Sequence, residues 1–207
     1  MNRPAGTSVA ETAMERPEQQ KQRADHAHLD VERVLIGQDA IARRIEELGR
    51  EIRRDLDVLQ EEIEIVLVPI LTGAMIFVAD LIRQLPHKVR ISVATASSYR
   101  GKTTSAVGEP IVKWLDQDLT SKHVLIVDDI LDSGTTIRRI REEVAALEPK
   151  SVHACVLLRK RIPTAMETSC EYVGFDIEDE YVVGYGLDYN GFYRNLPDVC
   201  VLKKEAL

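Results

Sequence analysis

Ile41, Ile45, Leu48, Ile52, Leu56 and Leu59 recur at spacings of three and four with charged residues between them, which is the pattern of an amphipathic helix. The β-branched run Ile63-Glu64-Ile65-Val66-Leu67-Val68 follows and predicts a strand ended by Pro69. Ala74 to Leu85 returns to helical spacing, and Val89 to Tyr99 reads as a second strand. Gly101 to Thr120 mixes Gly, Lys, Thr, Ser and Asp without a sustained period, as a long loop or a hairpin with a mobile tip does. The continuous apolar strand His123 to Val127 stops at Asp128-Asp129. Ile137, Ile140, Val144 and Leu147 then mark a helix, and Val152 to Leu158 another strand.

Strands alternating with helices predict an α/β fold, a mostly parallel central sheet flanked by helices on both faces. Ligands of such sheets bind at the carboxyl ends of the strands, so chemistry is expected there. Tyr172 to Leu202 reads as short strands and turns forming a small hood over that end. Met1 to about Asp30 has no apolar periodicity and is rich in Glu, Gln, Arg, Ala and Pro, so a flexible tail is expected over residues 1–30.

Composition narrows the partners. A chain of 207 residues with formal charge −7 has room for one core and no net basic surface for nucleic acid. Its three cysteines, Cys155, Cys170 and Cys200, are an odd number, widely spaced among apolar neighbours, which fits packing in a reducing compartment better than a disulfide framework. No apolar run reaches the length of a membrane helix, and Met1 to Ala10 lacks the core of a signal peptide, so the cytoplasm is the expected location.

The richest stretch is Val124-Leu125-Ile126-Val127-Asp128-Asp129-Ile130-Leu131-Asp132-Ser133-Gly134-Thr135-Thr136. Ser133, Gly134, Thr135 and Thr136 can wrap a monophosphate: the glycine permits close backbone approach, amides at a helix start point outward, and the hydroxyls add donors. Asp128 and Asp129 can accept hydrogen bonds from a vicinal diol, directly or around a hydrated magnesium ion. A simple helix cap explains Asp132-Ser133-Gly134 but not the two acids before it. No Gly-Lys-Ser/Thr triplet occurs at the spacing of a Walker loop.

This segment resembles the signature of the type I phosphoribosyltransferases, enzymes that use 5-phosphoribosyl-1-pyrophosphate (PRPP). Downstream, Leu157-Leu158-Arg159-Lys160-Arg161, Tyr172-Val173-Gly174-Phe175, Tyr181 to Asn190 and Arg194-Asn195-Leu196-Pro197 resemble the hypoxanthine-guanine phosphoribosyltransferases in content and order. The resemblance spans about Val66 to Leu202. It implies the type I phosphoribosyltransferase fold over residues 31–207, magnesium as cofactor, and a homodimer or homotetramer.

By the same resemblance Asp128 and Asp129 face the ribose hydroxyls, and Asp132 to Thr136 hold the 5-phosphate. Lys160 would donate to the six-oxo group of the purine, a contact that the amino group of adenine repels. Tyr181 would stack on the base and Val182 offer it backbone groups. Asp188 would line the purine site and help hold a second magnesium, with Asp128 and Asp129 on the first. Arg194 resembles the arginine that contacts pyrophosphate. Leu71-Thr72-Gly73-Ala74 falls where the family has a pyrophosphate loop, commonly Leu-Lys-Gly; here Thr72 replaces the lysine. Ser98-Tyr99 resembles the head of a flexible lid.

The implied reaction displaces pyrophosphate from the anomeric carbon by a purine ring nitrogen, with Asp132 as general base. Two alternatives stand beside it: a xanthine-preferring enzyme, and a PRPP-fold regulator that binds RNA. The acidic balance and Lys160 count against the second.

Overall fold

A computed structural model describes residues 29–57, 64–97, 111–114 and 118–206. Along the chain these form β1 (Val31–Ile36), α1 (Gln38–Asp57), β2 (Ile65–Leu71), α2 (Met75–Leu81), β3 (Val89–Ile91), β4 (Ala94–Ser97) and β5 (Ile111–Trp114). Then come β6 (His123–Leu131), α3 (Thr135–Ala145), β7 (Ser151–Lys160), α4 (Pro163–Met166), β8 (Tyr172–Ile177), β9 (Val182–Val183) and β10 (Val199–Leu202). The tail expected at residues 1–30 lies outside the described residues except for Leu29 and Asp30. Those two meet the hood: Tyr193 Oη donates to Asp30 Oδ2 at 2.7 Å, and Lys203 Nζ to the Leu29 carbonyl at 2.6 Å.

The main sheet runs β5-β4-β2-β6-β7-β8, with β3 also on β2. Every pairing in it is parallel except β4 with β5. The antiparallel β4–β5 pair is what the hairpin alternative requires, and residues 98–110 between its strands lie outside the described residues.

Val89 to Tyr99, expected as one strand, forms two, β3 and β4, each beside a different stretch of β2, and three boundaries also differ from the pattern reading. First, β2 continues through Pro69 to Leu71. On one side its partner changes from β3, ending at Leu67↔Ile91, to β4, starting at Ile70↔Ala94. Pro69 falls in that gap, where its missing N–H removes no ladder bond. Second, β6 does not stop at the paired acids, because β7 keeps pairing with it to Leu131↔Arg159. Third, β8 joins the main sheet as an edge, and the hood is β1-β10-β9, so the hood begins with a strand that precedes α1.

Each face of the sheet has its own core. Ile41, Ile45, Leu48 and Ile52 of α1 pack with Phe77 and Leu81 of α2 against one face, and Ile137, Ile140 and Val144 of α3 cover the other. The first amide of α1, on Gln38, donates to Asp198 Oδ1 at 2.7 Å, so a hood carboxylate caps the helix at its positive end. Arg44 on the same helix donates to the carbonyls of Gly174 and Val173 at 2.9 Å each, covering part of the β8 edge.

Ile126 is fully buried in the core beneath α3. Ile126→Ala should cost about 2–5 kcal/mol in denaturant unfolding, because the gap cannot close between two packed layers. A loss under about 1 kcal/mol would contradict that packing.

Candidate active site

Because β6 outlasts β2, it delivers Asp128 and Asp129 at the carboxyl end of the sheet with their backbones still in the β7 ladder. Asp128 Oδ1 accepts from the Asp129 amide at 3.0 Å, and Asp129 Oδ1 from the Ile130 amide at 2.8 Å. Burial first, then the Asp129 charge, push the Asp128 carboxyl well above the usual carboxylate range. Burial raises Asp129 too, opposed by the hydrogen bond with Asp128, the Ile130 amide and the Arg194 charge.

A carboxyl whose folded pKa exceeds its unfolded value favours the folded chain at acid pH, and that contribution fades as pH climbs through the folded value. Asp128 therefore weakens the free protein near neutrality. Asp128→Asn should raise the Tm of the unliganded protein at neutral pH, by about 2–4 °C per kcal/mol recovered, and flatten its decline above about pH 4. An unchanged or lower Tm would count against an unrelieved acid at this position.

Past β6 the chain turns through Asp132, Ser133 and Gly134 into α3. Gly134 has φ +78°, a left-handed conformation that glycine adopts without strain. Ser133 Oγ lies 3.1 Å from Thr135 Oγ1, so the turn presents two hydroxyls together. Thr136 follows in the first turn of the helix.

Lys160, expected just after a strand, is the last residue of β7. Its ammonium contacts Asp132 Oδ1 at 3.1 Å and Asp179 Oδ1 at 2.8 Å, and the side chain is only 12% exposed. Burial alone would lower its pKa, but the bonds to Asp179 and Asp132 outweigh this and hold it above the usual lysine range. Asp179 escaped the sequence reading. Its only signal was the acidic run Glu178-Asp179-Glu180 after a strand, which equally describes a solvated turn.

Asp129, Asp132, Lys160, Tyr181, Val182 and Asp188 line one cavity of about 190 Å³, which Glu180 also borders. That is below the roughly 300–1,000 Å³ of drug-sized pockets and suits a small ligand. Tyr181 is 49% exposed, meets Tyr189 edge-on at 5.5 Å, and donates to the Asp188 carbonyl at 3.2 Å. Glu180, also missed, is ion-paired to Arg33 of β1, a strand the pattern did not reveal. A larger cleft of about 420 Å³ between α1 and the hood, crossed by the Tyr185–Asp80 hydrogen bond, contains none of the expected residues.

Arg194 pairs with Asp188 Oδ1 at 2.7 Å and donates to the Gly186 carbonyl at 2.5 Å, while Asp188 Oδ2 accepts from the Gly191 amide at 2.7 Å. The Leu71-Thr72 peptide is cis. Gly73 presses against Asp129: a Cβ on it would stand 1.9 Å from Asp129 Oδ2. A Cβ on Gly186 would stand 2.3 Å from the Gly73 carbonyl oxygen. The Thr72-Gly73 loop is thus in close contact with both the strand end and the hood. Ser98 and Tyr99 lie outside the described residues.

Magnesium fits these donors in one way. Among the described residues no group of three or more His, Cys, Asp or Glu could hold a metal alone. Asp128, Asp129 and Asp188 supply oxygen only, and magnesium characteristically takes one or two carboxylates with water and substrate phosphates. A shared ion is what these residues can hold.

Residues 34–190 match the family described as phosphoribosyl transferase domain. The chain is 45% identical over 168 residues to the hypoxanthine phosphoribosyltransferase of Salmonella typhimurium, covering 80% of this chain and 92% of that protein. It is 40% identical over 169 residues to the hypoxanthine-guanine phosphoribosyltransferase of Mycobacterium avium, covering 81% and 83%. The crystal structure of a Bacillus anthracis hypoxanthine-guanine phosphoribosyltransferase superposes with a TM-score of 0.73 at 36% identity, covering 84% of this chain and 99% of that one.

Proposed function

The chain belongs to the phosphoribosyltransferase family, among the hypoxanthine and hypoxanthine-guanine phosphoribosyltransferases, and we propose that it transfers the 5-phosphoribosyl group of PRPP to hypoxanthine, guanine or both, releasing pyrophosphate. This is an enzyme of purine salvage. The observation that carries the reading is the Lys160–Asp132 contact of 3.1 Å inside a cavity that Tyr181 and Val182 also line. A fixed cation for a six-oxo group and a carboxylate for a ring proton stand side by side.

Each step then has a residue. Tyr181 stacks on the base, and the backbone of Val182 meets its edge. Lys160, held by Asp179, donates to the six-oxo oxygen, and a donor there disfavours adenine. Asp132 accepts the proton released as the ring nitrogen attacks the anomeric carbon. Asp128 and Asp129 orient the ribose diol, Ser133 to Thr136 hold the 5-phosphate, and Thr72, Gly73 and Arg194 hold the pyrophosphate. Magnesium, shared between these carboxylates and the diphosphate, would offset charge on the leaving group. Ser98-Tyr99 would close as a lid that excludes water.

The protein is taken to act in the cytoplasm as a homodimer or homotetramer, without nucleic-acid or membrane partners. Among the described residues no helix is long and apolar enough to cross a membrane. Sedimentation measures the assembly. The activity is tested by supplying hypoxanthine, guanine, xanthine and adenine in turn with PRPP and magnesium and following nucleotide formation. Turnover of hypoxanthine or guanine with none of adenine is expected. Inactivity with both oxo-purines would overturn the reading, and a preference for xanthine would move the specificity.

A further inference from the structure

Within residues 132–136 the only charged side chain is Asp132, a carboxylate that repels phosphate. The nearest cation in sequence is Arg138, one helical turn into α3. Its Nη1 donates to Thr168 Oγ1 at 2.5 Å, and its Nη2 to the Ser133 carbonyl at 3.3 Å, with Thr135 Oγ1 3.5 Å away. Thr168 is 5% exposed, and its own hydroxyl donates to the Thr164 carbonyl at 2.8 Å, leaving a lone pair for the arginine. A Cβ on Gly134 would stand 2.0 Å from Thr168 Oγ1 and 2.8 Å from Arg138 Nη1, so these two groups back the turn directly.

We propose that Arg138 and Thr168 form a positioning clamp that presets the turn for the 5-phosphate of PRPP and of the product nucleotide. This rests on the phosphate role proposed above for Ser133 to Thr136. The Ser133 carbonyl and the Gly134 amide belong to one trans peptide, so they point in opposite directions. Binding the carbonyl to Arg138 aims the Gly134 N–H away from the clamp. With the guanidinium 3.5 Å from its oxygen, the Thr135 hydroxyl turns its own proton away from Arg138, toward Ser133 Oγ or a phosphate. The guanidinium also adds charge of the sign that the α3 N-terminus already offers an anion. Through Thr168 and Thr164 the clamp reaches α4, which follows Lys160, and so ties the phosphate turn to the segment bearing the base-contacting lysine.

Steady-state constants for R138M, T168V and T168S test this, with melting temperatures recorded. R138M should raise the KM for PRPP about tenfold, the factor one charge-assisted hydrogen bond carries, with the KM for hypoxanthine unchanged within about twofold. The Kd of IMP should weaken in parallel. T168V should move the same parameter less, and T168S, which keeps the hydroxyl, should restore it. If R138M does not fold, the T168V and T168S pair decides. An unchanged KM for PRPP, or an equal rise in both KM values, overturns the clamp while wild-type turnover still upholds the enzyme. A wild-type protein that forms no nucleotide from either oxo-purine overturns both.

Discussion

Asp132→Asn should lower kcat by a factor of about a hundred or more, the usual size of a lost general base, while the KM for PRPP stays within a few-fold. The side chains match in shape, so the turn should persist, but an amide cannot take the proton that the attacking ring nitrogen sheds. Lys160 Nζ also donates to Asp179 Oδ1 at 2.8 Å, a contact that this substitution does not remove. The lysine therefore remains held, and a fall in kcat reports proton transfer rather than loss of the base contact. Asp179→Asn is the complementary control: it should raise the KM for hypoxanthine more than it lowers kcat. Near-normal turnover in Asp132→Asn would remove Asp132 from the chemistry.

Much of this site could be read from the chain because its parts are contiguous. Val124 to Thr136 carries an apolar strand, the acids and the phosphate turn in one run, and each piece has a local cause: β-branched residues, a glycine at φ +78°, a helix start. What the pattern missed depends on contacts between distant segments. Arg33 and Glu180 are paired across 147 positions, and neither gives a periodic signal. β1 was invisible because its burial alternates poorly and its partner β10 is at the far end of the chain. The end of β6 was misplaced because charged residues normally close a strand, whereas here β7 continues to pair with them. The same continuation makes Asp128 costly: ladder geometry holds a carboxyl in a buried place, where the hydrogen bond from the Asp129 amide offsets its desolvation only in part.

Thr72 poses the sharpest question about the pyrophosphate loop, and its neighbour answers it. Gly73→Ala should lower kcat/KM for PRPP by about a hundredfold, since displacing a positioned group by an ångström has effects of that order. The new methyl would fall 1.9 Å from Asp129 Oδ2 and 2.6 Å from its Cγ, inside any tolerable contact. Asp129 cannot swing aside freely, because Oδ1 is held by the Ile130 amide and its backbone lies in β6. The Gly73 carbonyl meanwhile has the Gly186 backbone against it, at a position with φ +102°. Thr72 is exposed, so Thr72→Ala should change kcat/KM by less than about threefold if the loop acts through its backbone amides. Measuring both variants separates the two modes of binding. A larger effect from Thr72→Ala than from Gly73→Ala would mean that the threonine hydroxyl itself binds the pyrophosphate, and that the glycine merely spans the turn.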